Sequence, residues 1–192
     1  SRVIKSRERF LLPAELPAFF HALEKSSLRD FFMLALLTGV RKSNLQAMRW
    51  ADLDLSDGMW RIGKTKNGDS MTVPLVPEAI EILNSRKAER VVNAVWVFPG
   101  AGESGHLVEP KRAWATLVET AGLQGLRIHD LRRTLGSWQA RQGSSLTIIG
   151  KSLGHKSQAA TLIYSRLDLD PVRESVETAT AAILEAGKGH RP

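Results

Sequence analysis

A chain of 192 residues can bury one substantial core, and its 43% hydrophobic and 24% charged content is that of an ordinary globular domain. The absence of cysteine excludes disulfides, thiolate metal sites and cysteine nucleophiles, and the longest apolar run, Phe31 to Leu37, is far too short to span a bilayer. A net charge of +7 favours an anionic partner, with nucleic acid ahead of an acidic membrane surface.

Residues 1–9 carry three arginines and a lysine without apolar periodicity and read as a linker or arm, with no secretory signal. Pro13 then opens a helix to about Glu24. A second helix, Leu28 to Leu37, is apolar nearly all round and is expected at the centre of the core. Thr38-Gly39 stops it. Ser43-Asn44-Leu45-Gln46 fits a capping box, which would hold Arg41 in a turn just before a helix start. Three extended runs follow, Ala51 to Leu55, Met59 to Gly63 and Ser70 to Leu75. The turns at Ser56-Asp57-Gly58 and Asn67-Gly68 make them an antiparallel meander. Trp60, Ile62, Lys64 and Lys66 share one parity, so an apolar face continues into two lysines toward the hairpin tip.

Pro77 starts a helix to about Arg90, with Ala79, Ile80 and Leu83 inward. Val95 to Phe98 is short and extended, and residues 101–109 form a loop. Pro110 starts a helix ending at Gly122. Another begins near Asp130, with Leu131, Leu135 and Trp138 on one stripe and His129, Arg132, Arg133 and Gly136 on the other side. Gly143 is its expected C-cap. Short helices cover Leu146 to Leu153 and Gln158 to Tyr164. A last helix covers Val172 to Ala186, with Val172, Val176, Ala179 and Ile183 on one stripe. The expected fold is mainly α with a small three-stranded antiparallel sheet, an α+β domain over 10–186 with a tail at 187–192.

His129 and Arg132, three apart on a helix, can reach one small anion together. Arginine offers a fork of donors that matches a pair of phosphate oxygens, and histidine adds a donor or base near neutral pH. Tyr164 is the chain's one tyrosine. A phenol close to such groups in a basic chain points to chemistry on a phosphodiester. Taken singly, Arg41, Lys66, His155 and Tyr164 each have an ordinary structural explanation. An arginine after a turn is usually solvated, a hairpin lysine exposed, and a lone tyrosine a core ring with its hydroxyl at the surface.

Their order is more specific. Thr38-Gly39-Val40-Arg41, Lys66-Asn67-Gly68, His129-Asp130-Leu131-Arg132, Leu153-Gly154-His155 and Tyr164 together resemble the tyrosine recombinase (phage integrase) family. The likeness runs from about Phe10 to Leu169, and Met71-Thr72-Val73-Pro74-Leu75 matches that family's return strand after its lysine hairpin. The resemblance implies the catalytic-domain fold of that family and a site-specific recombinase or integrase. Tyr164 would attack a DNA phosphodiester to form a 3′-phosphotyrosine. Arg41 and Arg132 would hold the non-bridging oxygens, His129 would assist proton transfer, His155 would hydrogen-bond the phosphate and Lys66 would protonate the leaving 5′-oxygen. Lys64 shares the strand face with Lys66, and the family's lysine just before the turn favours Lys66.

It implies double-stranded DNA as partner, a homo-oligomer (a tetramer) on DNA through the C-terminal helix, and a prokaryotic cytoplasm with nucleoid association during action. No cofactor or metal is expected. No carboxylate cluster suited to Mg²⁺ and no glycine loop ending in Lys-Ser/Thr stands out. Asn44 departs from the pattern, since the family carries a carboxylate three residues after its first arginine. The family's separate N-terminal DNA-clamping domain is absent from this sequence, so the chain is expected to be a fragment whose 1–9 arm is the linker that would join it. Two rivals stay open, a type IB topoisomerase using the same groups and a non-catalytic helix-turn-helix regulator at Leu28 to Trp50 or Leu146 to Tyr164. The regulator leaves the hairpin lysine and the His129–Arg132 pair without a task.

Overall fold

The structure, a computed structural model, describes residues 9–64, 69–154 and 165–189. A single 3₁₀ turn, Pro13–Glu15, leads into α1 (Leu16–Glu24), followed by α2 (Arg29–Thr38) and α3 (Lys42–Gln46). A second 3₁₀ turn, Trp50–Asp52, precedes β1 (Leu53–Asp54), β2 (Met59–Ile62) and β3 (Met71–Pro74). Then come α4 (Pro77–Glu89), α5 (Lys111–Ala121), α6 (His129–Arg141), α7 (Leu146–Ser152) and α8 (Ser165–Lys188). The mainly helical α+β class expected from the sequence is the class observed.

Every residue of α2 from Phe31 to Thr38 is buried, because the helix is packed by neighbours on all sides. Phe32 meets Trp114 of α5 edge-on at 5.0 Å, and Phe31 meets Phe98 at 5.2 Å. Such aromatic pairs bury large areas and prefer this tilted geometry. The indole N–H of Trp114 donates to the Leu126 carbonyl at 3.0 Å, so its burial leaves no unsatisfied donor there. Arg86 of α4 ties the core's edge together. It donates to Asp30 at 3.1 Å and to the Val97 carbonyl, with its guanidinium 4.5 Å over Phe98.

The sheet is an antiparallel meander in the order β1-β2-β3, with Leu53 opposite Trp60 and Trp60 opposite Val73. Trp60 and Ile62 face inward, as their parity requires, and Lys64 is exposed. β1 is shorter than the extended run predicted from Ala51, because Trp50–Asp52 winds into the 3₁₀ turn. The hairpin tip with Lys66 lies outside the described residues, as does the helix expected over Gln158 to Tyr164.

Two further expectations are corrected. The capping box at Ser43 does not form. Arg41 is the N-cap residue of α3, without a side-chain cap, and Gln46 instead donates to the Val108 carbonyl at 2.6 Å. A buried amide in reach of a distant carbonyl satisfies that acceptor in place of the helix start. The last helix starts at Ser165 rather than Val172 and carries Pro171 inside it. Its stripe is as expected, with Val172, Val176, Ala179 and Ile183 buried against the rest of the chain. Helix α8 packs on α6, α1 and α7, and Arg173 reaches the carbonyls of Asp57 and Leu75 beside the sheet. At the end of α6, Gly143 has φ +89°. Its amide bonds to Ala140 and that of Ser144 to Gln139, the paired hydrogen bonds of a Schellman closure.

Candidate active site

Three segments meet at the N-terminal half of α6. The first is the turn after α2. Gly39 takes φ +66°, a left-handed value that glycine adopts without a Cβ penalty. A Cβ there would lie 2.8 Å from the terminal methyls of both Leu135 and Leu153. Gly39 therefore satisfies two demands, the turn and the close approach of α6 and α7. Arg41 follows in extended conformation, and its carbonyl accepts from the amides of Asn44 at 3.0 Å and Leu45 at 3.2 Å. Its backbone is fixed while its side chain stays partly exposed.

The second segment is the start of α6. Asp130 is fully buried and accepts from the Arg127 amide at 2.8 Å and from Arg133 at 2.9 Å. The amide of Arg127 precedes the helix, and the negative charge of Asp130 in the first turn also complements the helix dipole. The carbonyl of Asp130 accepts from the Thr134 hydroxyl, which in turn accepts from the Leu11 amide at 2.9 Å. The beginning of the helix is thus fixed on two sides, and His129 stands at its exposed end.

The third segment is the turn after α7. Arg132 was expected to project with Arg133 from the polar side of the helix, yet it is 7% exposed. One of its nitrogens donates to the Gly39 carbonyl at 2.8 Å and another to the carbonyl of Leu153. These carbonyls close the turns that carry Arg41 and lead to His155. A buried guanidinium needs such partners, since an unpaired charge would cost several kcal/mol or more. Gly154, at φ +68°, lets the chain pass Met71 of β3, whose sulfur would lie 2.9 Å from a Cβ there. The turn before His155 consequently rests on the return strand of the lysine hairpin.

The electrostatics are those of an anion site. Burial first, and the positive charge of Arg41 second, lower the Arg132 pKa to about 10, so it stays protonated at neutral pH. The His129 pKa is held below its usual value by loss of hydration, then by the charges of Arg133 and Arg132, against the opposing pull of Asp130. Although its surface is largely exposed, the ring loses part of its water, and Arg41 contributes in the same direction. Among the described residues, neither Arg41 nor Arg132 is paired with a carboxylate. Like charges gathered without a counter-ion favour a bound anion that both can reach. Among the described residues, no group of three or more His, Asp or Glu side chains could hold a metal ion. No described helix is long and apolar enough to cross a membrane.

Of the six residues singled out in the sequence, the structure brings together Arg41, His129 and Arg132. Lys66, His155 and Tyr164 lie outside the described residues. Sequence reasoning missed the supporting groups, namely the carbonyls of Gly39 and Leu153 and the carboxylate of Asp130. For Asp130 a signal was present, an acidic residue in a helix's first turn.

The phage integrase family profile matches residues 9–170. The chain is 32% identical over 162 residues to the prophage integrase IntF of Escherichia coli (strain K12), covering 82% of this chain and 34% of that protein. It is 30% identical over 159 residues to the tyrosine recombinase XerC of Xanthomonas campestris pv. campestris (strain B100), covering 79% of this chain and 48% of that one. With the tyrosine recombinase XerA of Pyrococcus furiosus the identity is 25% over 183 residues, covering 93% of this chain and 64% of the relative. The chain thus spans between about a third and just under two thirds of the length of these relatives. In fold it is similar to the integrase from mycobacterium phage Brujita, with a TM-score of 0.69 at 23% identity over 95% of this chain and 64% of that one. It is also similar to XerH site-specific recombinase bound to difH substrate, with a TM-score of 0.62 at 22% identity over 83% of this chain and 49% of the other. The chain belongs to the phage integrase family, the tyrosine recombinases.

Proposed function

We propose that this domain cleaves and rejoins strands of double-stranded DNA at a specific site through a 3′-phosphotyrosine at Tyr164, without metal or nucleotide. The observation that carries this reading is the pair of cationic groups Arg41 and Arg132 beside His129; among the described residues neither arginine is paired with a carboxylate, and Arg132 is held by backbone carbonyls. In-line attack by the Tyr164 phenol oxygen on phosphorus forms the P–O(Tyr) bond and breaks the bond to the 5′-oxygen. The phenol proton passes toward His129, which is neutral more readily than an ordinary histidine. Negative charge grows on the non-bridging oxygens, where Arg41 and Arg132 stabilise it more in the transition state than in the ground state. His155 hydrogen-bonds the same phosphate. Lys66 gives its proton to the departing 5′-oxygen, so no alkoxide is released. The phosphotyrosine keeps the bond energy, and the reverse attack by a 5′-hydroxyl reseals the strand.

Site specificity and strand exchange imply several copies acting on paired sites, and we propose a tetramer on DNA. Helix α8 buries its apolar stripe on its own chain. Exchange of this helix between copies would first have to uncover Val172, Val176, Ala179 and Ile183.

The test is incubation with a nicked suicide duplex whose site has been selected from a random pool, followed by denaturing electrophoresis. A covalent protein–DNA band is expected in the presence of excess EDTA, and Tyr164→Phe should bind the duplex without forming it. A band that persists in Tyr164→Phe would remove Tyr164 as nucleophile. A chemical step that needs Mg²⁺ would indicate a different enzyme class.

A further inference from the structure

Where α6, α7 and α8 meet, a group of polar side chains is buried although nothing in the proposed chemistry uses it. Gln139 of α6 is fully buried, Ser152 at the end of α7 is 2% exposed and Ser175 of α8 is 8% exposed. The amide nitrogen of Gln139 donates to the Ser152 hydroxyl at 2.9 Å and to the Ser175 hydroxyl at 3.1 Å, which uses both of its protons. Its amide oxygen lies 3.1 Å from the Ser152 hydroxyl, whose single proton is shared between that oxygen and the Ile149 carbonyl. Ser175 is bonded in addition to Ser144, in the loop between α6 and α7. Every member is satisfied, and such a network costs little while adding direction to the packing.

Direction is what the surrounding apolar contacts lack. The stripe of Val172, Val176, Ala179 and Ile183 is buried through apolar contacts, which are non-directional and by themselves favour burial without opposing a small slip along the helix axis. A hydrogen bond tolerates no such slip, because its strength falls steeply with distance and angle. The three helices also have defined places along the chain. Helix α6 carries His129 and Arg132, α7 ends at Ser152 just before Leu153-Gly154-His155, and α8 begins directly after Tyr164.

We propose that Gln139 and Ser175 are positioning residues. Their hydrogen bonds fix the register of α8 against α6 and α7, and thereby the separation of the two ends of the segment that carries His155 and Tyr164. The register part stands on the described contacts alone. The consequence for catalysis rests on the role proposed above for Tyr164.

Threonine and valine have the same shape, so Ser175→Thr and Ser175→Val differ only in keeping or losing the hydroxyl. In the 192-residue chain, which has no cysteine of its own, spin labels are attached through Leu146→Cys on α7 and Thr178→Cys on α8, both exposed positions. One narrow label-to-label distance is expected for the parent and for Ser175→Thr, and a broadened or displaced distribution for Ser175→Val. With the suicide duplex, Ser175→Val should lose about tenfold or more in the rate of adduct formation at unchanged duplex affinity, and Ser175→Thr should retain it. Gln139→Met, similar in length and apolar, should behave like Ser175→Val. Equal distance distributions for Thr and Val would overturn the inference, as would rate and affinity falling together. Should the parent form no adduct, the functional proposal fails while the distance measurement still decides the register.

Discussion

Arg132 and Gly39, 93 residues apart in sequence, are joined by a 2.8 Å hydrogen bond from a guanidinium nitrogen to the glycine carbonyl. The bond couples the arginine that would hold phosphate to the turn that presents Arg41. Both partners are poor candidates for substitution, for different physical reasons.

At Gly39 the reason is steric. Alanine would have to adopt φ +66° and place its Cβ 2.8 Å from methyls of Leu135 and Leu153. Overpacking of this kind costs about 1–3 kcal/mol, with the left-handed backbone adding to it. Urea unfolding of Gly39→Ala should show a lower midpoint by that amount with an unchanged slope. An unaltered midpoint would mean that the turn rearranges freely, and that the carbonyl held by Arg132 is not fixed by Gly39.

At Arg132 the reason is the fork. Lysine keeps the charge but cannot donate to the Gly39 and Leu153 carbonyls in one plane while facing a phosphate. Arg132→Lys and Arg132→Ala should both lose about 10²–10³ in adduct rate, because under the proposed function each removes a preorganised donor to transition-state charge. Duplex affinity should change far less. Parallel losses in affinity and rate would make Arg132 an ordinary backbone contact.

Much of this architecture could be read in the sequence because burial follows period. Leu131, Leu135 and Trp138 on α6, Trp60 and Ile62 on β2, and the α8 stripe are all buried as their spacing demands. The burial of Arg132 was not legible. Periodicity assigns an arginine to solvent, and the carbonyls that accept its protons belong to turns distant in sequence. Gln139 and Ser175 were hidden for the same cause, since a polar residue on a helix defaults outward unless partners converge from elsewhere. At Ser43 a local pattern misled, because Gln46 found a better acceptor at Val108 than the helix start offered. Local rules yield to tertiary partners wherever a buried polar group needs one.

His129 gives a prediction in pH. Lost hydration and the charges of Arg133 and Arg132 hold its pKa below the ordinary histidine value near 6.5. Folding therefore favours the neutral ring, and the unfolded chain takes up the proton more readily. This contribution to stability is present above the unfolded pKa and is lost as pH falls through the folded one. Nuclear magnetic resonance titration should find the His129 midpoint below 6.5, and Arg133→Ala should raise it. A midpoint that ignores Arg133→Ala would mean that the arginine's charge is screened at the ring.

The last prediction concerns the leaving group, and it tests the proposed role of Lys66, which lies outside the described residues. A 5′-alkoxide is a poor leaving group, so a proton must arrive as the P–O bond breaks. General acids contribute about 10²–10⁴-fold to such steps. Lys64 is exposed on the approach to the same hairpin tip and is the competing donor. Lys66→Ala should cleave ordinary DNA slowly and recover much of its rate on a duplex whose bridging 5′-oxygen is replaced by sulfur, since a thiolate departs unprotonated. Arg132→Ala should not recover on that substrate, because in the proposed mechanism its charge acts on the non-bridging oxygens. If Lys66→Ala is equally slow on both substrates while Lys64→Ala is slow on oxygen and rescued by sulfur, the acid is Lys64 and Lys66 serves only to bind DNA.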